Sequence, residues 1–310
     1  MKKGLLKKIG ILALVAGIGS ASLAGCGASS DSNASGQAAA PAQTSEAPAP
    51  ADSQVADTSS ETSEASDAQA DEYTGLLKDI KDRGYITVGT EGTWSPYTFH
   101  NDNDELVGYD VEVAKYIADY IGVDVKYSET VWSSIFASLD AGQIDVVING
   151  VSYSDERAEK YDFSIPYNYS QYAFIALADN DELNSLEDVA GKKAANDPTS
   201  SIGKFAEDNG AILDEVGEQA QAINEVRNGR ADLSFSTLVV FTDYLNQHPE
   251  DKDVFKVVVV SDPEPNAYIP VVKGNEQLVE VLNEALTQAQ NDGTLSELAI
   301  KYFGVDTTKP

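Results

Sequence analysis

From residue 73 onward the chain alternates two hydrophobic patterns. Short apolar runs with a two-residue period, or none, predict strands at 85–90 (YITVGT), 123–127, 144–149 (IDVVIN), 173–177, 231–235 and 254–260. Runs with apolar residues three and four apart predict helices at 111–121, 133–140, 201–209, 219–228, 238–247, 276–291 and 295–303. In the first of these, Ala114, Ile117, Ala118 and Ile121 share a face, Asp110 stands at the N-cap and Gly122 at the usual place of a C-terminal glycine. Such alternation predicts an α/β class with mostly parallel sheets flanked by helices. Roughly 235 residues exceed a single core, so two lobes are expected. A ligand site then falls in the cleft between them, outside the carboxyl ends of the strands.

The first 72 residues follow neither pattern. Lys2, Lys3, Lys7 and Lys8 precede a short apolar stretch at 9–21, and Leu23, Ala24, Gly25 and Cys26 follow it. This is the layout of a signal peptide over 1–25, too short and wrongly flanked for a membrane span. The LAGC run resembles the lipobox of bacterial lipoproteins. That resemblance implies cleavage before Cys26 and attachment of lipid, palmitate included, to its sulfur. Residues 27–72 carry no Lys or Arg and almost no large apolar side chain. A stretch of this composition cannot bury enough apolar surface to offset its ordering entropy, so 26–72 reads as a disordered tether, with a glycosylated stalk as the alternative. The expected location is the outer face of a bacterial cell membrane, with the protein anchored through lipid on Cys26.

Composition narrows the partners. Cys26 is the only cysteine, which excludes an internal disulfide and a cysteine metal site. The formal charge is −30, and loss of four lysines with the signal peptide makes it −34. A chain this acidic is a poor partner for nucleic acid, whose phosphates need basic side chains, and none is expected. A monomer is expected.

No catalytic apparatus is legible. His100 and His248 are the only histidines and have no metal-ligand partner at useful spacing. Zinc-protease, nucleophile-elbow and P-loop motifs are missing. The run 101–105 (NDNDE) superficially resembles a calcium loop, but it lacks the glycine at the sixth position and has Val113 where the twelfth-position glutamate belongs. It reads better as a polar hairpin turn. The triplet 168–170 fits a glycosylation sequon, discounted because the lipobox points to a bacterium. No catalytic residue, metal site or cofactor is therefore nominated, although paired carboxylates leave no spacing signature.

Binding chemistry is present instead. The two tryptophans, Trp94 and Trp132, both follow predicted strands. Of four arginines, Arg157 follows the buried strand IDVVIN, where Ser154 can cap a short helix. A guanidinium matches a carboxylate in a two-pronged fork; pairing with neighbouring glutamates on a solvated face is the alternative for Arg157.

At these residues the chain resembles the polar amino-acid-binding proteins of ABC importers, the extracellular solute-binding proteins of family three. The matching runs are 88–99 (VGTEGTWSPYTF), 106–114 (LVGYDVEVA), 144–157 (IDVVINGVSYSDER), 161–167 (YDFSIPY), 273–275 (KGN), 292–295 (DGTL) and 301–304 (KYFG). Within the family, 89–93 (GTEGT) and 303–309 (FGVDTTK) look closest to the cystine-binding branch. The resemblance implies a two-lobed periplasmic-binding-protein-like fold of type II, with lobe one at 76–168 plus 269–310 and lobe two at 173–264. It implies an amino-acid ligand, possession of permease subunits of an ABC importer as partners, and delivery by hinge closure. It also implies roles: Arg157 grips the ligand α-carboxylate, Gly150 and Ser152 add a backbone group and a hydroxyl, and Trp94 and Trp132 sandwich the ligand side chain. Asn149 lies at the site edge and Glu91 faces a polar or cationic end. In lobe two, Ser200 and Ser201 open a helix whose amides complete the carboxylate site. Thr237 stands where the family usually has an aspartate for the ligand ammonium, and a threonine hydroxyl is a weaker, neutral acceptor. Either Glu91 takes the ammonium or the ligand is not a simple α-amino acid. The run 196–199 (NDPT) also departs from the family's glycine-containing turn. The alternatives are an enzyme on the same fold, a dehydratase or lytic transglycosylase, and an amino-acid sensor domain.

Overall fold

Strand Tyr85–Thr90 pairs in parallel with Asp124–Glu129 along its whole length in the computed structural model, which describes residues 73–310. The segments expected to be a signal peptide and a tether, 1–25 and 26–72 with Cys26, lie outside the described residues. On its other edge Tyr85–Thr90 pairs, again in parallel, with Val146–Val147. Parallel neighbours need crossovers, and helices Tyr109–Ile121 and Trp132–Asp140 supply them. Helix Tyr109–Ile121 turns Ala114, Ile117, Ala118 and Ile121 inward and packs on helix Glu276–Asn291, whose Leu278, Leu282 and Leu286 complete the core. Helix Thr294–Phe303 closes this lobe, its Phe303 ring 4.7 Å from that of Tyr109.

The second lobe is a five-stranded mixed sheet in the order Ile212–Glu215, Lys193–Asn196, Leu233–Thr237, Tyr172–Leu177, Phe255–Val259. The first three run parallel, and Tyr172–Leu177 is antiparallel to both of its neighbours. Side chains alternate across a strand. Phe174 and Ala176 accordingly enter one apolar cluster with Leu233 and Phe235, while Ala173 and Ile175 enter another with Phe241 and Phe255. Both faces are covered, as a central strand of near-continuous apolar residues requires.

Outgoing and returning chain are paired with each other between the two sheets. Asn168–Ser170 runs antiparallel to Glu264–Ala267, and Tyr161–Phe163 antiparallel to Pro270–Val272. Buried Asn168 knits this connection, donating from Nδ2 to the Tyr97 hydroxyl and to Asn266 Oδ1, both at 3.1 Å. The Thr307 hydroxyl donates to its Oδ1. The architecture is α/β and two-lobed. No helix among the described residues is long and apolar enough to cross a membrane.

Some expectations change in detail. Helix Tyr109–Ile121 is capped by Gly108, so Asp110 is its second residue and not its cap. Its carboxylate turns inward. The run 144–149 forms a ladder only at Val146–Val147. Helix Gly75–Arg83 and strands Lys193–Asn196 and Ile212–Glu215 are additional to the elements that the hydrophobic pattern predicts. KAAN and ILDE hold almost no β-branched or aromatic side chain, so they show little strand propensity. The polar run 101–105 closes a hairpin between Thr98–His100 and Leu106–Val107.

Candidate functional site

The ends of both sheets face a cleft with about 650 Å³ of empty space, counting the part open to solvent. Glu91, Trp94, Trp132, Asn149 and Gly150 line it from the first lobe. Asn196, Asp197, Ser200, Ser201, Glu218 and Gln219 line it from the second.

Trp94 follows the carboxyl end of the central strand and stacks on Tyr97, ring centroids 4.3 Å apart and planes 11° from parallel. Gly150 sits against its edge. A Cβ there would lie 2.4 Å from Trp94 Cζ3, and the backbone φ of +55° is left-handed, so only glycine fits. The Gly150 N–H donates to Asp110 Oδ2 at 2.7 Å, and the Tyr167 hydroxyl donates to Asp110 Oδ1 at 3.0 Å. The Gly150 amide is thus already engaged, which leaves its carbonyl as the backbone group it can offer a ligand. Burial pushes the Asp110 carboxyl up to about 7, against the pull of those two hydrogen bonds.

Asn149 and Glu91 hold each other. The Glu91 N–H donates to Asn149 Oδ1 at 2.9 Å, and Asn149 Nδ2 donates to Glu91 Oε2 at 2.7 Å. Burial pushes the Glu91 carboxyl up to about 7; Asp197 and Glu218 across the cleft push the same way, while Asn149 and the Trp132 N–H oppose them. No cation is among the groups acting on it. An outer hollow shares Glu91, Trp132, Asp197 and Glu218 and adds Glu129.

Trp132 begins its helix, ring edge-on to Phe136. The Arg157 guanidinium lies 5.4 Å from the Trp132 ring centre and 5.0 Å from that of Phe136. Arg157 follows Ser154, whose hydroxyl caps helix Asp155–Ala158 by accepting the Arg157 N–H. Its Nη1 donates to Ser152 O at 2.9 Å and its Nη2 to Thr199 O at 3.5 Å, the latter in the other lobe. Desolvation holds the guanidinium below its usual value. The Ser201 hydroxyl donates to Ser152 Oγ at 3.2 Å, a second contact across the cleft. Ser200 caps helix Ser201–Asp208, its Oγ accepting the Gly203 N–H at 2.9 Å.

The structure therefore brings together Glu91, Trp94, Trp132, Asn149, Gly150, Ser200 and Ser201 in the cleft wall, with Ser152 and Arg157 joined to it through Ser201 and Trp132. Thr237 is the exception. It ends its strand fully buried, near the Tyr97 phenol, and its hydroxyl makes no hydrogen bond of ordinary geometry. Asp197 and Glu218 were not foreseen as cleft residues: the first lies in the NDPT turn noted for its departure, and the second carries no local signal. Among the described residues no group of three His, Cys, Asp or Glu could hold a metal ion.

Residues 86–305 match the family described as bacterial extracellular solute-binding proteins, family 3. The chain belongs to this family. The solute-binding fold accounts for the paired lobes, and membership makes the protein extracytoplasmic. The L-cystine-binding protein TcyA of Bacillus subtilis is 38% identical over 235 residues, covering 76% of this chain and 87% of that one. An ancestral arginine-binding protein solved with glutamine superposes with a TM-score of 0.67 at 34% identity, over 72% of this chain and 99% of that one. The L-cystine solute receptor of Neisseria gonorrhoeae, solved unliganded and open, is 36% identical, covers 76% of this chain and 100% of its own, and gives a TM-score of 0.54.

Proposed function

We propose that this solute-binding protein captures a free polar amino acid, cystine-like in being able to carry charge at its far end, and passes it to the permease of an ABC importer. The observation that carries this is the cleft itself: two tryptophans and a half-buried carboxylate on one lobe face a serine-capped helix N-terminus on the other, with Arg157 and Ser152 alongside. Lobe one comprises 76–168 plus 269–310 and lobe two 173–264. Trp94 and Trp132 enclose the ligand side chain. Arg157 has further N–H groups beyond those bonded to Ser152 and Thr199, and these take the ligand carboxylate together with Ser152 and the amides after Ser200. Thr237 is neutral, so the ligand's positive charge falls to Glu91, with Asp197 and Glu218 beyond it. Capture closes the lobes over the ligand. The mature protein is a monomer anchored through lipid on Cys26, and the tether at 26–72 gives the domain reach toward the permease.

The protein is a binder and not an enzyme in this reading, which its relatives support by being named as binding proteins. A carboxyl held near 7 could serve as a base, so the test reads both outcomes. The protein is screened by thermal shift against the twenty amino acids, cystine and dicarboxylates, and hits are titrated by calorimetry. One ligand per chain, recovered unchanged by mass spectrometry, is the expected result; turnover would overturn the reading. Arg157→Ala should weaken binding by about 2 to 5 kcal/mol, the usual loss when a buried charge pair is broken. Unchanged affinity removes Arg157 from the site.

A further inference from the structure

Helix Leu238–Gln247 belongs to the second lobe by its place after strand Leu233–Thr237. Its buried residues are divided between the lobes. Val239 and Val240 enter the apolar cluster of the first lobe with Tyr97, Tyr109 and Ile86, whereas Phe241 enters a cluster of the second lobe with Ala173 and Phe255. One turn further on, the same helix makes a polar contact with the first lobe. The Ser95 hydroxyl donates to Asp243 Oδ2 at 2.7 Å, and Gln247 Nε2 donates to that oxygen at 2.7 Å and to Ser95 Oγ at 3.3 Å. Asp243 and Gln247 are four residues apart and so share a helix face. Ser95 directly follows Trp94, so the contact also fixes the segment that carries the aromatic wall. None of the three residues lines the cleft.

We propose that Ser95, Asp243 and Gln247 form an interlobe latch that sets how much of the unliganded protein is closed. The latch needs no ligand, because every hydrogen bond in it is made between protein groups. Opening the lobes would separate Ser95 from Asp243 and draw Val239 and Val240 away from the first lobe. A latch of this kind changes apparent affinity through the binding-competent fraction alone, by the same factor for every ligand. It governs affinity, and the cleft governs choice. The inference rests on capture in the interlobe cleft only for its effect on affinity; its effect on the unliganded shape stands independently.

The test uses Asp243→Ala, with Gln247→Ala as a second, milder variant. Spin labels on exposed Lys115 and Glu207, in the mature chain with Cys26→Ser, report the interlobe distance without ligand. The expected result is a shift of the distance distribution toward longer separations. Affinity for each ligand found by the screen should fall by a common factor, about three- to tenfold, with the ranking of ligands preserved. An unchanged distance distribution in both variants overturns the latch. So does a loss of affinity that differs between ligands, which would place Asp243 in the selection of ligand. If no amino acid binds the parent protein, capture fails and the distance measurement still decides the latch.

Discussion

Glu91 shows how one side chain can be legible in kind but not in state. The family resemblance implies that this glutamate, just beyond a strand end, faces a polar subsite. Its protonation depends on the burial and the acidic neighbours that the folded cleft supplies, which push the carboxyl up to about 7. A cationic ligand group pairs with the ionised form. Below about pH 7 the carboxyl is mostly protonated and must lose that proton before it can pair, so affinity for a cationic ligand should fall as pH falls through this value, up to about tenfold per unit. Glu91→Gln should weaken binding of such a ligand and flatten the profile; calorimetry at several pH values reads both. A profile that keeps its slope in the variant removes Glu91 as the titrating group. Gly150 is the converse case: the missing side chain is written in the residue type, but the left-handed backbone and the close approach of the Trp94 ring that require it are tertiary.

At the scale of elements, periodicity carried far. Helices Leu238–Gln247 and Glu276–Asn291 and strand Tyr85–Thr90 have the predicted bounds. Their apolar residues repeat at the period of the element, and a face that must be buried leaves that repeat in the chain. Lys193–Asn196 and Ile212–Glu215 are strands because neighbouring strands accept them, and their composition carries little sign of it. Asp110 differs from its expected capping position for a related reason. The N-cap, Gly108, and the second helical residue, Asp110, stand only two places apart in the chain, and here the second residue turns its side chain into the core. Its carboxyl is raised from its unfolded value to about 7, so the folded state favours the protonated form. That contribution is fully present below the unfolded pKa and is lost as pH rises through about 7, so stability should fall across this window. Asp110→Asn cannot ionise and should lessen that fall; chemical denaturation at about pH 5 and about pH 8 measures it. An identical pH slope in variant and parent would show that Asp110 does not titrate there.

On the scale of the whole molecule, closure links the parts. Both tryptophans line the cleft, so a bound ligand that reaches either ring should change the intrinsic emission. Trp94→Phe and Trp132→Phe should each remove part of the response, and a ligand proven to bind without altering emission would take both rings out of the site. The chain by itself determined the α/β class and the order of its long elements, because those depend on local periodicity, and it carries the motifs whose family resemblance implies most candidate ligand groups. Tertiary structure alone decided which groups meet: that Asp197 and Glu218 face Glu91, that the Gly150 amide is taken by Asp110, that Thr237 is buried, and that Ser95 reaches Asp243. The last pair stands 148 positions apart in the chain. Contacts at such separation arise from the packing of two lobes, and no local pattern of hydrophobic and polar positions encodes them.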